Sequence, residues 1–262
     1  MLRRFARIAR SQQPAYVELI AGAAHVLDRA PWLGGETTGE CLPGFDDEAV
    51  GPCARLAPVE PRKILCVGRN YRAHAKELGN EVPVEPMLFF KPSTSLLDPG
   101  GEVVLPPSAI SARVEHEAEL AIVVGAPLKR ADEAAAASAI FGATVACDVT
   151  ARDLQKKDGQ WTRAKGMDTF CPVGPVVVAG LDLTELPIVC SVNGELRQRG
   201  NTRDMIFSVP RVLSFVSQVM TLEPGDLILT GTPEGVGPLA AGDQLRIDVD
   251  GIGALTVGVR AG

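Results

Sequence analysis

Val114-Glu115-His116-Glu117-Ala118-Glu119-Leu120-Ala121-Ile122-Val123-Val124-Gly125 begins as alternating acid and ends as an apolar run closed by glycine. β-Branched residues crowd its second half, so the stretch reads as one β-strand. Side chains alternate across a strand, which places Glu115, Glu117 and Glu119 on one face and His116 and Ala118 on the other. Three like charges in a row repel, and a fold keeps them where a cation stands against them. Oxygen-only ligands suit a hard divalent ion such as magnesium, manganese or calcium. The plainer reading of the same alternation is a solvated strand edge with no ion, so the rest of the chain has to decide.

Around this strand, 262 residues suffice for one large domain or for a main domain with a small appendage. A hydrophobic fraction of 46% against 22% charged residues is that of a soluble enzyme-sized protein with a sizeable core. Its 26 basic and 32 acidic side chains leave a net charge of −6, which argues against a nucleic-acid partner. No apolar run approaches the length of about 20 residues that a membrane span needs. Six cysteines (Cys41, Cys53, Cys66, Cys147, Cys171, Cys190) form no C-x-x-C pair, so buried free thiols in a reducing compartment are expected rather than a zinc ribbon. The Arg-rich start, Met1 to Arg10, resembles a transit peptide, but strand-like Tyr16–Ile20 and Ala24–Leu27 follow at once. It reads as the first strand of a hairpin, and the protein as cytoplasmic.

Residues 1–60 hold short strands, a Gly34-Gly35 turn and a Pro-rich exit (Pro52, Pro58, Pro61), predicting a small β-rich N-terminal subdomain and linker before a domain over 61–262. That domain starts with a buried strand at Lys63–Val67. Helical character follows over Asn70–Leu78 with Gly79 as its stop, and then an extended path through Met87–Phe90. This segment is suited to act as a lid. Downstream come a short helix over Asp132–Ala139 and a strand at Ala143–Cys147 ending on Asp148. Further strands are expected at Val176–Val178, Ile188–Val192, Leu227–Thr230, Leu245–Val249 and Leu255–Val259. The clearest helix starts at Ser208 with Val209, Val212, Leu213, Val216, Val219 and Met220 on one face, packed against a sheet. Strands outnumber helices without regular β-α alternation, so the class is β-rich α+β.

A nucleophile elbow, a Walker loop and a Rossmann fingerprint are all absent. Gly231-Thr-Pro-Glu-Gly-Val-Gly237 lacks the lysine of a phosphate loop and reads as a turn presenting Thr232 to a pocket. His74 and Glu77, three apart on a helix, share a face, where a carboxylate can orient an imidazole that acts as a general base. A solvated surface pair has the same spacing. Asp148 opens a polar run at a strand end, where ligands often gather.

These pieces occur together as Gly68-Arg-Asn-Tyr-x-x-His74-x-x-Glu77, Phe90-Lys-Pro92, Glu117-x-Glu119-Leu, Asp148-Val-Thr-Ala-Arg-Asp-x-Gln155, Lys165-Gly and Leu229-Thr-Gly-Thr-Pro-x-Gly-Val-Gly237. The combination resembles the fumarylacetoacetate hydrolase family. It is most similar to the acylpyruvase and oxaloacetate decarboxylase branch, including Asn193–Gln198 and Met205–Ser208. The resemblance runs from about residue 63 to the C-terminus and is loose before that. It implies a mixed β-sandwich roll with flanking short helices, usually paired as a homodimer. It also implies Mg²⁺ or Mn²⁺ held by Glu117, Glu119 and Asp148, with Glu115 off the metal. His74 and Glu77 become a catalytic dyad on a lid, and Lys165, Gln155 and Thr232 face the pocket. Arg69 is added here as a partner for a substrate carboxylate.

The implied substrate is a small α-keto acid. Three carboxylates around a divalent ion leave a negative balance, so a cation such as Lys165 is needed nearby. Such an ion acts as a Lewis acid, and Lys165 would stabilise the enolate left when the bond beyond C3 breaks. Hydrolysis of an acylpyruvate to pyruvate and an acid is the leading expectation. Oxaloacetate decarboxylation and keto-enol isomerisation of dicarboxylic acids are its rivals. A non-catalytic keto-acid-binding or metal-binding protein is the alternative from another class, and it would not need the dyad.

Overall fold

In the computed structural model, which describes residues 2–45 and 54–262, the acidic stretch is two strands. Val114–His116 belongs to a small sheet with Thr150–Ala151 and Gly237–Pro238, whereas Ala118–Val124 lies in the largest sheet. The break falls at Glu117. One continuous strand was the wrong expectation, and the uniform alternation across Glu115, Glu117 and Glu119 fails with it.

The largest sheet runs, neighbour to neighbour, through Thr37–Pro43, Ala23–Leu27, Ala15–Ile20, Arg3–Ile8, Cys171–Ala179, Ile140–Cys147, Ala118–Val124, Leu227–Leu229, Ile64–Gly68 and Met87–Lys91. Along this path only Leu227–Leu229 and Ile64–Gly68 are parallel. The basic N-terminal segment is indeed the first strand, hydrogen-bonded both to its hairpin partner and to Cys171–Ala179. A second sheet is built from Glu195–Asn201, Pro187–Val192, Gln244–Val249, Gly253–Ala261 and Glu102–Leu105. Ala118–Val124 is buried along its whole length, because the sheet is covered on both faces there. The result is the strand-rich mixed roll with short flanking helices that the sequence and its resemblance imply.

Helices Glu133–Ser138 and Val209–Val219 start at side-chain caps, Asp132 Oδ1 accepting from Ala135 N at 2.8 Å and Ser208 Oγ from Arg211 N at 3.4 Å. The two pack on each other. Val209, Val212, Leu213 and Val216 join the main core, but Val219 is 65% exposed, since the helix ends there. Two helices that the sequence does not announce, Arg152–Asp158, which begins within the polar run after Asp148, and Thr162–Lys165, lack side-chain caps. Four of the five described cysteines are buried free thiols, with Cys41 exposed; Pro52 and Cys53 lie outside the described residues. Among the described residues no helix is long and apolar enough to cross a membrane.

Candidate functional site

Strand register assembles the acids. Ala118 pairs with Cys147, so the next position along brings Glu117 beside Asp148, whose N–H donates to Glu117 O at 2.9 Å. On the other side Ala121 pairs with Leu229, and two residues further Gly231 N donates to Glu119 Oε2 at 2.6 Å. One ligand oxygen from each of Glu117, Glu119 and Asp148 can thus lie within 4.8 Å of the other two, and all three residues are buried. An all-carboxylate donor set of this size fits a hard divalent cation. Glu115 points elsewhere, to Arg113 Nε at 2.6 Å and Arg152 Nε at 2.6 Å.

Three buried cations oppose the cluster. Lys165 Nζ donates to Glu117 Oε2 at 2.8 Å and Asp148 Oδ2 at 2.6 Å. Lys91 Nζ donates to Asp148 Oδ1 at 2.6 Å, and Arg152 Nη2 to Glu117 Oε1 at 2.5 Å. Burial works to raise the Glu117 carboxyl, but Lys165 and Arg152 overcome it and hold the group below the usual carboxylate range. Glu119 touches no cation among these contacts. Burial first, then the charges of Asp148 and Glu117, push its carboxyl well above its ordinary value. Burial also works against the Lys165 charge, yet Asp148 and Glu117 keep that ammonium more firmly protonated than usual. Glu119 is therefore the acid of the three against which a divalent ion held by the cluster would stand.

The helix Arg72–Glu77 sits over this cluster and ends at Gly79, whose φ of 68° suits glycine. His74 is 4% exposed and its Nδ1 lies 3.2 Å from Glu77 Oε2. A carboxylate only accepts, so Nδ1 carries the proton and Nε2 is the basic nitrogen. The other Glu77 oxygen accepts from Gly235 N at 3.0 Å. His74, the three acids, Lys165, Arg69, Gln155 and Thr232 line one cavity of about 510 Å³. Every residue singled out from the sequence except Glu77 therefore lines the same cavity, and Glu77 touches His74. Gln155 Oε1 is engaged by Arg152 Nη1 at 2.6 Å, and the Thr232 hydroxyl donates to Ala118 O at 2.8 Å.

Sequence reasoning passed over Lys91, Arg152 and the cavity wall of Phe89 and Trp161, whose rings meet edge to face at 5.1 Å. It also passed over Asn70, whose buried amide ties Thr230 O at 2.8 Å to Phe207 just ahead of the helix Arg72–Glu77. Asn70 stands in the quoted Gly68-Arg-Asn-Tyr block, and a polar residue just after a buried strand was the available signal.

Residues 63–260 match the family model for the fumarylacetoacetate (FAA) hydrolase C-terminal domain. The site is that of an enzyme, and the chain belongs to the fumarylacetoacetate hydrolase family, in the branch that the motifs indicate. It is similar to the mitochondrial oxaloacetate tautomerase FAHD1 of Arabidopsis thaliana, 48% identical over 196 residues, 72% of this chain and 87% of the plant protein. It is also similar to the mitochondrial oxaloacetate decarboxylase of Dictyostelium discoideum, 46% identical over 198 residues, 73% of this chain and 90% of that one. Among solved structures, a 2-hydroxyhepta-2,4-diene-1,7-dioate isomerase from Mycobacterium marinum superposes with a TM-score of 0.88 at 41% identity, covering 99% of this chain and 98% of its own.

Proposed function

We propose that this enzyme acts at C3 of small α-keto acids of the oxaloacetate type, by way of an enolate, with Mg²⁺ or Mn²⁺ as cofactor. The observation that carries the reading is the placement of a basic imidazole and a buried ammonium on one cavity with the acid cluster. A divalent ion held by Glu117, Glu119 and Asp148 would supply Lewis acidity toward the keto and carboxylate oxygens. His74 Nε2 takes the C3 proton, and Glu77 keeps Nδ1 protonated and the ring oriented. Lys165 stabilises the charge that gathers on the enolate oxygen, in a buried setting where that is worth more than in water. Return of the proton to the oxygen completes tautomerisation; loss of CO₂ from the C4 carboxylate needs no base and leaves instead the pyruvate enolate, which takes a proton at C3 to give pyruvate. Arg69, on the cavity wall, is proposed to meet the far carboxylate.

Hydrolysis of acylpyruvates is the second reading. It is favoured by the same dyad, which can deprotonate water as readily as C3, and by a cavity larger than a four-carbon acid needs. The deciding assay follows enol loss from oxaloacetate, pyruvate release from oxaloacetate and acylpyruvate cleavage by wild type and His74→Ala with Mg²⁺. Tautomerisation should fall by about 10² or more and decarboxylation less. Undiminished tautomerisation in His74→Ala removes the imidazole from the proposal, and a wild type active only on acylpyruvates replaces the first reading with the second.

A further inference from the structure

The strand Glu195–Asn201 lies at one edge of the second sheet, and its side chains are exposed or half-buried except at one position, Gln198. Gln198 is fully buried and uses its whole amide. Oε1 accepts from Ala118 N at 3.0 Å and from His116 Nδ1 at 3.0 Å, while Nε2 donates to Thr232 Oγ1 at 2.8 Å and Pro233 O at 2.8 Å. It does not line the cavity. What it joins is the start of the acid-bearing strand and the segment Gly231–Gly235.

That segment makes two contacts with the site. Gly231 N holds Glu119 Oε2 at 2.6 Å, and Gly235 N holds Glu77 Oε1 at 3.0 Å. The strand carrying Gln198 also crowds it at Pro233 and Gly235. A Cβ at Gly235 would lie 2.2 Å from Arg197 O, and one at Gly200 would lie 2.5 Å from Pro233 Cβ. Glycine at both places lets the two backbones approach, so the segment has little room to move toward the strand. Glu77 is 32% exposed and docks on this segment through a single backbone N–H.

We propose that Gln198 is a positioning residue for the lid. By fixing Gly231–Gly235 against the acid-bearing strand, it sets the separation between Glu119 and the docking point of Glu77, and so the place of His74 over the acid cluster. This rests on the dyad reading above. A buried, fully bonded glutamine that served only as core glue would lower stability everywhere alike. A positioning residue has a local signature, because the lid helix is held at its far end by what Gln198 holds.

The test uses the full chain with Gln198→Met, measured without substrate by hydrogen exchange and with Mg²⁺ and oxaloacetate by kinetics. Amides of Arg72–Glu77 and of 231–235 should exchange about tenfold faster or more, with those of 120–124 as in wild type. Tautomerisation should lose about tenfold in kcat with KM little changed, and adding Gln198→Met to Glu77→Ala should cause no further loss. Unchanged exchange in Arg72–Glu77, or losses that multiply in the double variant, overturns the proposal. If Gln198→Met does not fold, Gln198→Glu decides, since it keeps the shape and the bonds accepted from Ala118 and His116 but cannot make both bonds donated to Thr232 and Pro233; wild-type exchange in the lid helix would then refute the idea. Full activity in Glu77→Ala would sink the dyad reading alone, and the exchange data would still judge Gln198.

Discussion

Replacing Lys165 by Met removes the ammonium and keeps most of the volume of its stem. In the structure Nζ stands 2.8 Å from Glu117 Oε2 and 2.6 Å from Asp148 Oδ2, with the side chain 2% exposed. A unit pair about 4 Å apart is worth about 4 kcal/mol at an effective dielectric of about 20, so two such pairs compete well with the cost of burying the ammonium. Removing one partner of a buried pair typically costs about 3–5 kcal/mol. Here Lys91 still reaches Asp148 Oδ1 at 2.6 Å and Arg152 still reaches Glu117 Oε1 at 2.5 Å. The low end is therefore expected for the metal-free variant, about 3 kcal/mol, which for a chain of this size lowers Tm by about 6–12 °C. Mg²⁺ offsets part of this loss. Ammonium and metal draw on the same carboxylates, so the variant should bind Mg²⁺ about tenfold more tightly, or about 1.4 kcal/mol, and regain stability when the ion is added. Turnover should fall by about 10² or more, because the enolate loses its cation. Thermal melts with and without Mg²⁺, together with a calorimetric titration, test all three. A metal-free variant as stable as wild type, or one that binds Mg²⁺ more weakly, would refute the reasoning.

Two further predictions concern the proton on Glu119 and the lid. Because burial, Asp148 and Glu117 raise the Glu119 carboxyl, its contribution to folding is full below about pH 4.5 and fades as pH rises through the raised value. Metal binding must expel that proton, so Mg²⁺ affinity should climb with pH across this window and about one proton should be released per ion. Calorimetry in two buffers of different protonation enthalpy measures the release; none in wild type, or unchanged Mg²⁺ binding by Glu119→Gln, contradicts the assignment. For the lid, amides from about 70 to 85 should exchange more slowly when oxalate and Mg²⁺ are bound. Equal exchange in the two states would mean that the segment does not close on ligand.

Much of the site was legible because its residues fall at strand ends, and strand ends are marked by Gly68, Asp148 and Gly231. Local reading alone grouped Glu115, Glu117 and Glu119, and Asp148 joined Glu117 and Glu119 only through the family resemblance; the structure brings Glu117 and Asp148 side by side because Ala118–Val124 and Ile140–Cys147 are antiparallel neighbours. What misled was extrapolating alternation through Glu117. Period-two counting assumes one sheet, and here the chain passes from one sheet to another at that residue. Arg152 and Lys91 were overlooked for a different reason. A single basic residue in a polar run or after an aromatic pair looks like a surface cation until tertiary packing closes over it. Gln198 was within reach, as a polar residue flanked by Arg197 and Arg199 in a strand, where the alternate face points inward. The helices Arg152–Asp158 and Thr162–Lys165 had no capping side chain to announce them.

The first strand has a consequence for any shortened form of the protein. Arg3–Ile8 sits between Ala15–Ile20 and Cys171–Ala179, and Phe5 packs on Phe141 with ring centroids 5.4 Å apart. Cutting away residues 2–45 would not shed a bead from a string. It would strip the pairing partner from Val177–Ala179 and leave their N–H and C=O groups facing outward beside newly wet valines and a phenylalanine. An open, apolar strand rim is a template on which other chains can add. The truncated chain would then meet its own copies before it met substrate, and the yield of folded enzyme would fall as its concentration rose.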